Sequence, residues 1–381
     1  MHIDQLTLKN FRNFESVYIP LNSKMNIVIG NNGSGKSSLL MGALTAASAF
    51  FLGIDYASPR SIKTDDVRHV AHEVKKVYQQ VAVYPVEVSC EGVVNGVTCK
   101  WSRSLSGPKS NTTYGGAFDL RNIASSLQKS TSSEYSEDVL PLIAYYGTGR
   151  LWAQKQAKKK GKQKLRSRFE GYRDCIAEQA TDKQLLEWFS ETTLLVSQEG
   201  PIPQMTAVQQ ALERCFADLI DHDETQRVKV EYRQRYRTVV VEYTNRSGEH
   251  ELHPMYEMSD GYRSVLSMVA DIAHRMAVLN PQLDDAILET PGIIIIDEVE
   301  SHLHPGWRKR ILKDLTSVFP NIQFIISTYS PEVITSYKEA NLILLKHEGS
   351  ATQIESAYGK DVNTVFRSIL LVRDRPTEIE E

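Results

Sequence analysis

The stretch MNIVIGNNGSGKSSLL, Met25 to Leu40, constrains this chain more than any other. An apolar run enters a sequence in which glycines alternate with small polar residues, and Lys36-Ser37 closes it. Gly30-Asn31-Asn32-Gly33-Ser34-Gly35-Lys36-Ser37 fits GxxxxGK[ST], with a strand pattern before it and a helix pattern, opened by Ser38, behind it. That context is what a phosphate-binding loop needs. Glycines let backbone N–H groups close around phosphate oxygens, and the start of the following helix adds the positive end of its dipole. Lys36 is expected to reach the β- and γ-phosphates of a nucleotide, and Ser37 to ligate Mg²⁺.

The rest of the chain supplies elements for an α/β fold. Ile3, Leu6 and Leu8, then Val17 and Ile19, suggest short alternating strands near the start. Val86, Val88 and Cys90 alternate with polar residues, Asn95-Gly96 makes a tight turn, and Val97, Cys99 and Trp101 alternate again, which predicts a hairpin. The Ser-, Thr-, Gly- and Asn-rich stretch from Gly107 to Ser136 reads as a loop. Helical periodicity covers Leu185–Val196 and Val208–Ile220, and strand alternation returns at Val228–Tyr232 and Val239–Tyr243. The continuous apolar runs IIII before Asp297, FII before Ser327 and LILL before Lys346 suit strands covered on both faces, as in a parallel sheet sandwiched by helices.

Two of these features add chemistry. IIIIDE, Ile293 to Glu298, places Asp297 at a buried strand end, where it can hold Mg²⁺ through water, with Glu298 beside it to polarise an attacking water. MSDGYRS, Met258 to Ser264, precedes a helix with Leu266, Val269, Ile272, Ala273, Met276 and Leu279 on one face. Ser259 suits its N-cap. Ser-x-Gly there exposes a hydroxyl, free amides and a positive dipole end, a receptor for a γ-phosphate.

GNNGSGKS, MSDGYRS, the strand–DE–V-E–S-H-L-H-P stretch through Pro305 and the strand–S-T-Y-S-P stretch together resemble an ABC-type ATPase head. The similarity is to the non-transporter branch: SMC and RecF proteins, OLD nucleases, and Septu-type (PtuA) or retron-associated defence ATPases. NFRNFE at Asn10–Glu15, LPLIAYYGTGRLW at Leu140–Trp152 and YGKDVNTVFRSIL at Tyr358–Leu370 resemble predicted ATP-binding proteins involved in virulence. The resemblance implies that Ser259 and Gly261 contact the γ-phosphate held by a neighbouring protomer, so that a homodimer or higher even oligomer encloses ATP. It implies a nucleotide-contacting role for Arg12, a Mg²⁺-sensing role for Gln79 or Gln80, and a partner-facing loop around His302 and His304. Tyr329 stands where relatives carry a histidine that helps hold the attacking water.

Composition excludes less than the motifs do. A formal net charge of −3 leaves nucleic-acid binding to a local patch. KQAKKKGKQKLRSR, Lys155 to Arg168, reads either as a solvated loop or as a sequence-independent clamp for DNA or RNA, with weak support from Lys229, Arg233, Arg235 and Arg237. Cys90, Cys99, Cys175 and Cys215 lack metal or disulfide spacing and read as reduced thiols. No signal pattern opens the chain and no run is long enough for a bilayer, so a cytoplasmic protein without membrane contact is expected. The residues after Pro331 hold no paired-acid cluster of the OLD nuclease kind.

The expected fold is an ABC-ATPase head, a P-loop NTPase, with a mainly parallel core sheet, an antiparallel β subdomain and a helical insertion. Residues 1–150 form one ATPase lobe, 151–225 the basic segment and helical insertion, and 226–381 the second lobe. The expected function is an ATP- and Mg²⁺-dependent ATPase in antiviral defence, with an HNH-type effector nuclease and a retron reverse transcriptase complex as partners. The alternative is an ATP-gated DNA clamp of the SMC/RecF type with little hydrolysis. A transporter motor is disfavoured by the long separation of Ser37 from Ser259.

Overall fold

The computed structural model describes residues 1–74, 77–131, 136–149, 167–177, 182–217, 228–346 and 349–369. In chain order the strands are β1 (His2–Phe11), β2 (Phe14–Pro20), β3 (Met25–Ile29), β4 (His69–Val74), β5 (Val77–Ala82), β6 (Val86–Val94), β7 (Val97–Leu105) and β8 (Leu142–Tyr146). They continue with β9 (Lys229–Arg233), β10 (Thr238–Thr244), β11 (His250–Pro254), β12 (Gly292–Ile296), β13 (Ile322–Ser327), β14 (Asn341–Leu345) and β15 (Ala351–Ile354). The longer helices are α1 (Lys36–Ala47), α2 (Phe118–Thr131), α3 (Asp182–Glu199), α4 (Pro203–Ala217) and α5 (Asp260–Leu279). Shorter ones follow: α6 (Pro305–Arg308), α7 (Ile311–Val318), α8 (Pro331–Ile334) and α9 (Val362–Ser368).

The core sheet has the order β15-β14-β3-β13-β12-β8, parallel except for the β14–β15 edge pair. β3, β8, β12 and β13 are buried at every residue, as strands covered on both faces are, and Asn26, Gln323 and Ser327 are buried among their apolar residues. An antiparallel sheet, β2-β1-β6-β7, faces α1 with Ile3, Leu6 and Leu8, and α1 also touches β12 and β13. A Cβ at Gly42 of α1 would lie 2.6 Å from a Leu8 methyl, so glycine sets how closely helix and sheet approach. Buried Gln323 of β13 joins the two sheets: its amide donates to the Ile3 carbonyl at 2.7 Å and accepts from the Ile3 N–H at 2.8 Å.

The predicted hairpin is β6–β7, with Val94 opposite Val97 across Asn95-Gly96. The four cysteines are free thiols. The stretch read as a loop, 107–136, instead contains α2, whose Leu120, Ala124, Leu127 and Thr131 are buried. Its polar face dominates the local composition, while the buried stripe at helical spacing is narrow enough to be overlooked. Leu219 and Ile220 of the second helical pattern lie outside the described residues.

Asp66, fully buried, gathers the N-terminal turn. It accepts from Arg12 Nε at 2.9 Å, from Arg60 Nη2 at 2.8 Å and from the Lys63 N–H at 3.0 Å. Burial opposes its ionisation, but Arg60, the Lys63 amide and Arg12 together hold its carboxyl below the usual 3.8. The ion pairs therefore contribute stability above that pH, and the contribution is lost as pH falls through the lowered folded value. Asp66→Ala leaves Arg60 unpaired and is expected to cost about 3–5 kcal/mol near neutral pH. Urea denaturation checks this, and the gap from the parent should close in acid.

Candidate functional site

Parallel order brings the C-terminal ends of β3, β13, β12 and β8 to one edge of the sheet. β3 ends in the predicted phosphate loop. Gly35 has φ 100°, and a Cβ there would lie 2.3 Å from Asn13 Nδ2, which itself donates to the Ser34 carbonyl at 3.2 Å. A Cβ at Gly30 would come within 2.5 Å of Ser34 Oγ. Lys36 Nζ folds over the loop and donates to the Gly30 carbonyl at 2.8 Å and the Asn31 carbonyl at 3.2 Å. Ser34 Oγ is buried without a hydrogen-bond partner, whereas Asn32, Gly33 and Ser37 are exposed and Asn31 and Ser38 half-buried. An orphaned hydroxyl inside a lysine-closed glycine loop fits an oxyanion as occupant. Burial lowers the Lys36 pKa, and Glu298, Asp297 and Glu300 oppose that shift, so the facing acids lie within electrostatic reach of the ammonium.

At the neighbouring strand ends, Ser327 Oγ donates to Asp297 Oδ1 at 2.5 Å and accepts from the Glu298 N–H at 2.8 Å. Glu298 has φ 48°, and its Oε2 accepts from Ser301 Oγ at 3.2 Å. Glu300 is buried, and its Oε1 accepts from the Tyr329 N–H at 2.8 Å. Burial pushes the Glu300 carboxyl above its usual range, and Glu298 adds to the push against the Tyr329 amide. The Tyr329 side chain is 46% exposed; burial, then Glu300 and Glu298, raise its pKa, and Arg308 opposes them.

α5 begins at the predicted Ser-x-Gly. Ser259 occupies the N-cap, but its side chain makes no capping hydrogen bond. The expectation that it caps the helix is met in position only, and the exposed hydroxyl is left for another acceptor. Gly261 packs on the loop after Glu298: a Cβ there would lie 2.4 Å from the His302 carbonyl. Tyr262 and Trp307 stack edge to face beside it, 3.8 Å between centroids.

Other sequence candidates fall in different settings. Arg12 is engaged by Asp66, one residue from the Asn13 contact to the loop. Gln79 and Gln80 are exposed on the separate β4–β5 hairpin. His304 caps α6, accepting from the Gly306 N–H. In the basic segment, residues 155–166 lie outside the described residues. Arg168 is no surface clamp residue: it donates to the Leu279, Asp138 and Asn280 oxygens. Lys229 and Arg233, read as support for that clamp, are paired with Glu231 and Glu242. Arg235 lies over the Tyr236 ring, and Arg237 occupies a turn at φ 52°. Alternating charges across β9 and β10 neutralise each other, which composition could not reveal.

The AAA_23 family, described as an AAA domain, matches residues 5–220. The chain belongs to this family. It is an ABC-type ATPase of the SMC/RecF branch with defence-associated relatives. The Retron Ec83 probable ATPase of Escherichia coli is 24% identical over 99% of this chain and 78% of that protein. The Retron Vc95 probable ATPase of Vibrio cholerae is 26% identical over 88% of this chain and 72% of its own length. The Septu protein PtuA of Bacillus mycoides is 31% identical over 37% of this chain and 18% of that protein. Among solved structures, the SmcHead bound to the C-winged helix domain of ScpA aligns over 94% of this chain and 98% of that one. Its TM-score is 0.50 at 14% identity, a likeness of fold.

Sequence reasoning on this AAA-family ATPase missed Asn13, Ser327 as a pin for two acids, and buried Glu300. All three lie inside motifs already singled out, but their partners are remote in sequence. Because the folded Glu300 carboxyl binds its proton more tightly than the unfolded one, its charge costs stability as pH rises through the raised value. Glu300→Gln, which retains an acceptor for the Tyr329 amide, should therefore raise the Tm near neutral pH and give no gain below the ordinary glutamate value of 4.5. Thermal melts across pH measure this; a pH-independent gain would contradict it.

Proposed function

We propose that the chain binds ATP with Mg²⁺ between two copies of itself, hydrolyses it slowly, and acts as the nucleotide-dependent sensor of an antiviral defence complex. The observation that carries this reading is the single edge shared by Lys36, Asp297, Glu298 and Tyr329, all on adjacent parallel strands or their immediate continuations. Backbone amides of residues 30–38 and Lys36 would hold the phosphates. Ser37 and Asp297 would hold Mg²⁺; two protein ligands suffice because this ion keeps waters and phosphate oxygens. The ion neutralises phosphate charge when bound. Glu298 would take the proton of the attacking water, and Ser259 and Gly261 would complete the site of a partner protomer in a closed twofold arrangement. A nucleotide-contacting role for Arg12 would require it to leave Asp66, which holds it one residue from Asn13.

The defence setting rests on the retron and Septu relatives. By that analogy the partners are an HNH-type effector nuclease and a retron reverse transcriptase complex in the cytoplasm. DNA or RNA contact is assigned to residues 155–166, with Arg168 now excluded from it. The second reading, an ATP-gated clamp with little hydrolysis, is favoured by Tyr329. A neutral phenol cannot become a cation near neutral pH as imidazole does.

Lys36→Ala is expected to abolish ATP binding, and Glu298→Gln to keep binding while stabilising an ATP-dependent dimer. Sizing chromatography with and without Mg-ATP tests both; a dimer equally stable without nucleotide would defeat the ATP-gating part. Loss of one aligned donor to a charged transition state costs about 10²–10³ in rate. Tyr329→His should therefore raise kcat by about tenfold or more with nearly unchanged nucleotide affinity. Phosphate release under saturating Mg-ATP measures this; a variant no faster than the parent would show that Tyr329 does not limit turnover.

A further inference from the structure

The second tyrosine of LPLIAYYGTGRLW lies beside the proposed nucleotide site without belonging to it. Tyr146 ends β8 and is buried. Its carbonyl accepts from the Asp297 N–H at 2.8 Å, so its backbone is joined to the acid proposed to serve the chain's own nucleotide. Its hydroxyl donates to Asp271 Oδ2 at 2.8 Å, halfway along α5. The same oxygen accepts from Arg275 Nε at 2.8 Å. Arg275 Nη1 in turn donates to the Gly171 and Arg173 carbonyls at 2.9 and 2.8 Å.

This is an expensive arrangement to keep for packing alone. A half-buried carboxylate with a buried guanidinium and phenol could be replaced by apolar side chains of similar volume with little loss of stability. What polar groups provide, and apolar ones do not, is a fixed register between two elements. Here the elements have different duties. The start of α5 bears Ser259 and Gly261, proposed to act on the nucleotide of the partner. β12 leads into the acid proposed to act on the chain's own nucleotide, and the end of β8 accepts that acid's N–H. Packing of Gly261 on the His302 carbonyl joins α5 to the loop after β12, so α5 is held at two points along its length.

We propose that Asp271 is a positioning residue which, through Tyr146, locks α5 to the strand end bearing Asp297, so that loading of one ATP site sets the position of α5, whose start serves the other. The inference rests on the ATP-sandwich reading above. It predicts coupling without any contact between Asp271 and nucleotide, and it names the tyrosine hydroxyl as the transmitting group.

Hydrogen exchange on the full chain tests it with Mg²⁺ and the slowly hydrolysed analogue ATPγS. In the parent, nucleotide should slow exchange in residues 30–38 and also in residues 268–279, the latter by about fivefold, the lower end of ordinary coupling between sites. Tyr146→Phe removes one hydroxyl and leaves the Asp271–Arg275 pair, so nucleotide-free exchange in the helix should stay near the parent value. With nucleotide, protection of 30–38 should persist while protection of 268–279 is lost, and kcat should fall with nucleotide affinity unchanged. Asp271→Ala, which removes the acceptor of that hydroxyl, should give the same split. Undiminished nucleotide-dependent protection of 268–279 in both variants would overturn the inference, as would protection confined to 30–38 in the parent. Absence of protection at 30–38 in the parent would overturn the ATP reading itself, and this inference with it.

Discussion

One hydroxyl organises the edge on which this protein depends. Ser327 donates to Asp297 and accepts from the Glu298 amide, so the end of β13 fixes both acids at the end of β12. The bond sits inside a parallel ladder in which Ile296 pairs with Ile326 and Tyr146. Any slip of β13 against β12 would break the serine bridge and move Tyr329 away from Glu300. The apolar ladder supplies the driving force for burial, and the serine supplies the register.

The loop of β3 depends on the same ladder from the other side. β3 pairs with β13, and Thr328 N–H continues that pairing to the Val28 carbonyl. The lysine that folds over the loop therefore faces acids whose place is set by the adjoining strand. Charge is concentrated at this edge: Lys36 against three carboxylates, with Glu300 held at a raised pKa by burial.

The strand runs, the β6–β7 hairpin, α5 and the phosphate loop were legible because each announces itself within a short window. Period-two alternation, Asn-Gly and GxxxxGK[ST] are local signals. α2 was not legible: its Ser- and Asn-rich surface looks like a loop until burial picks out Leu120, Ala124 and Leu127. The charges of β9 misled in the opposite sense, since Lys229 and Arg233 are basic in sequence yet matched by Glu231 and by Glu242 across the hairpin.

The sequence by itself singled out the residues proposed to carry the chemistry: Lys36 and Ser37 in the loop, Asp297 and Glu298 after IIII, Ser259 and Gly261 before a helix. It could do so because phosphate binding and metal binding impose residue types at fixed local spacing. Tertiary structure alone decided how the surrounding groups are joined: Arg12 by Asp66, the acids by Ser327, and α5 by Tyr146 and the His302 carbonyl. Each of these links spans elements remote in sequence, and a hydrogen bond between distant residues leaves no local period to read. It exists only once the strands have registered and the helix has docked.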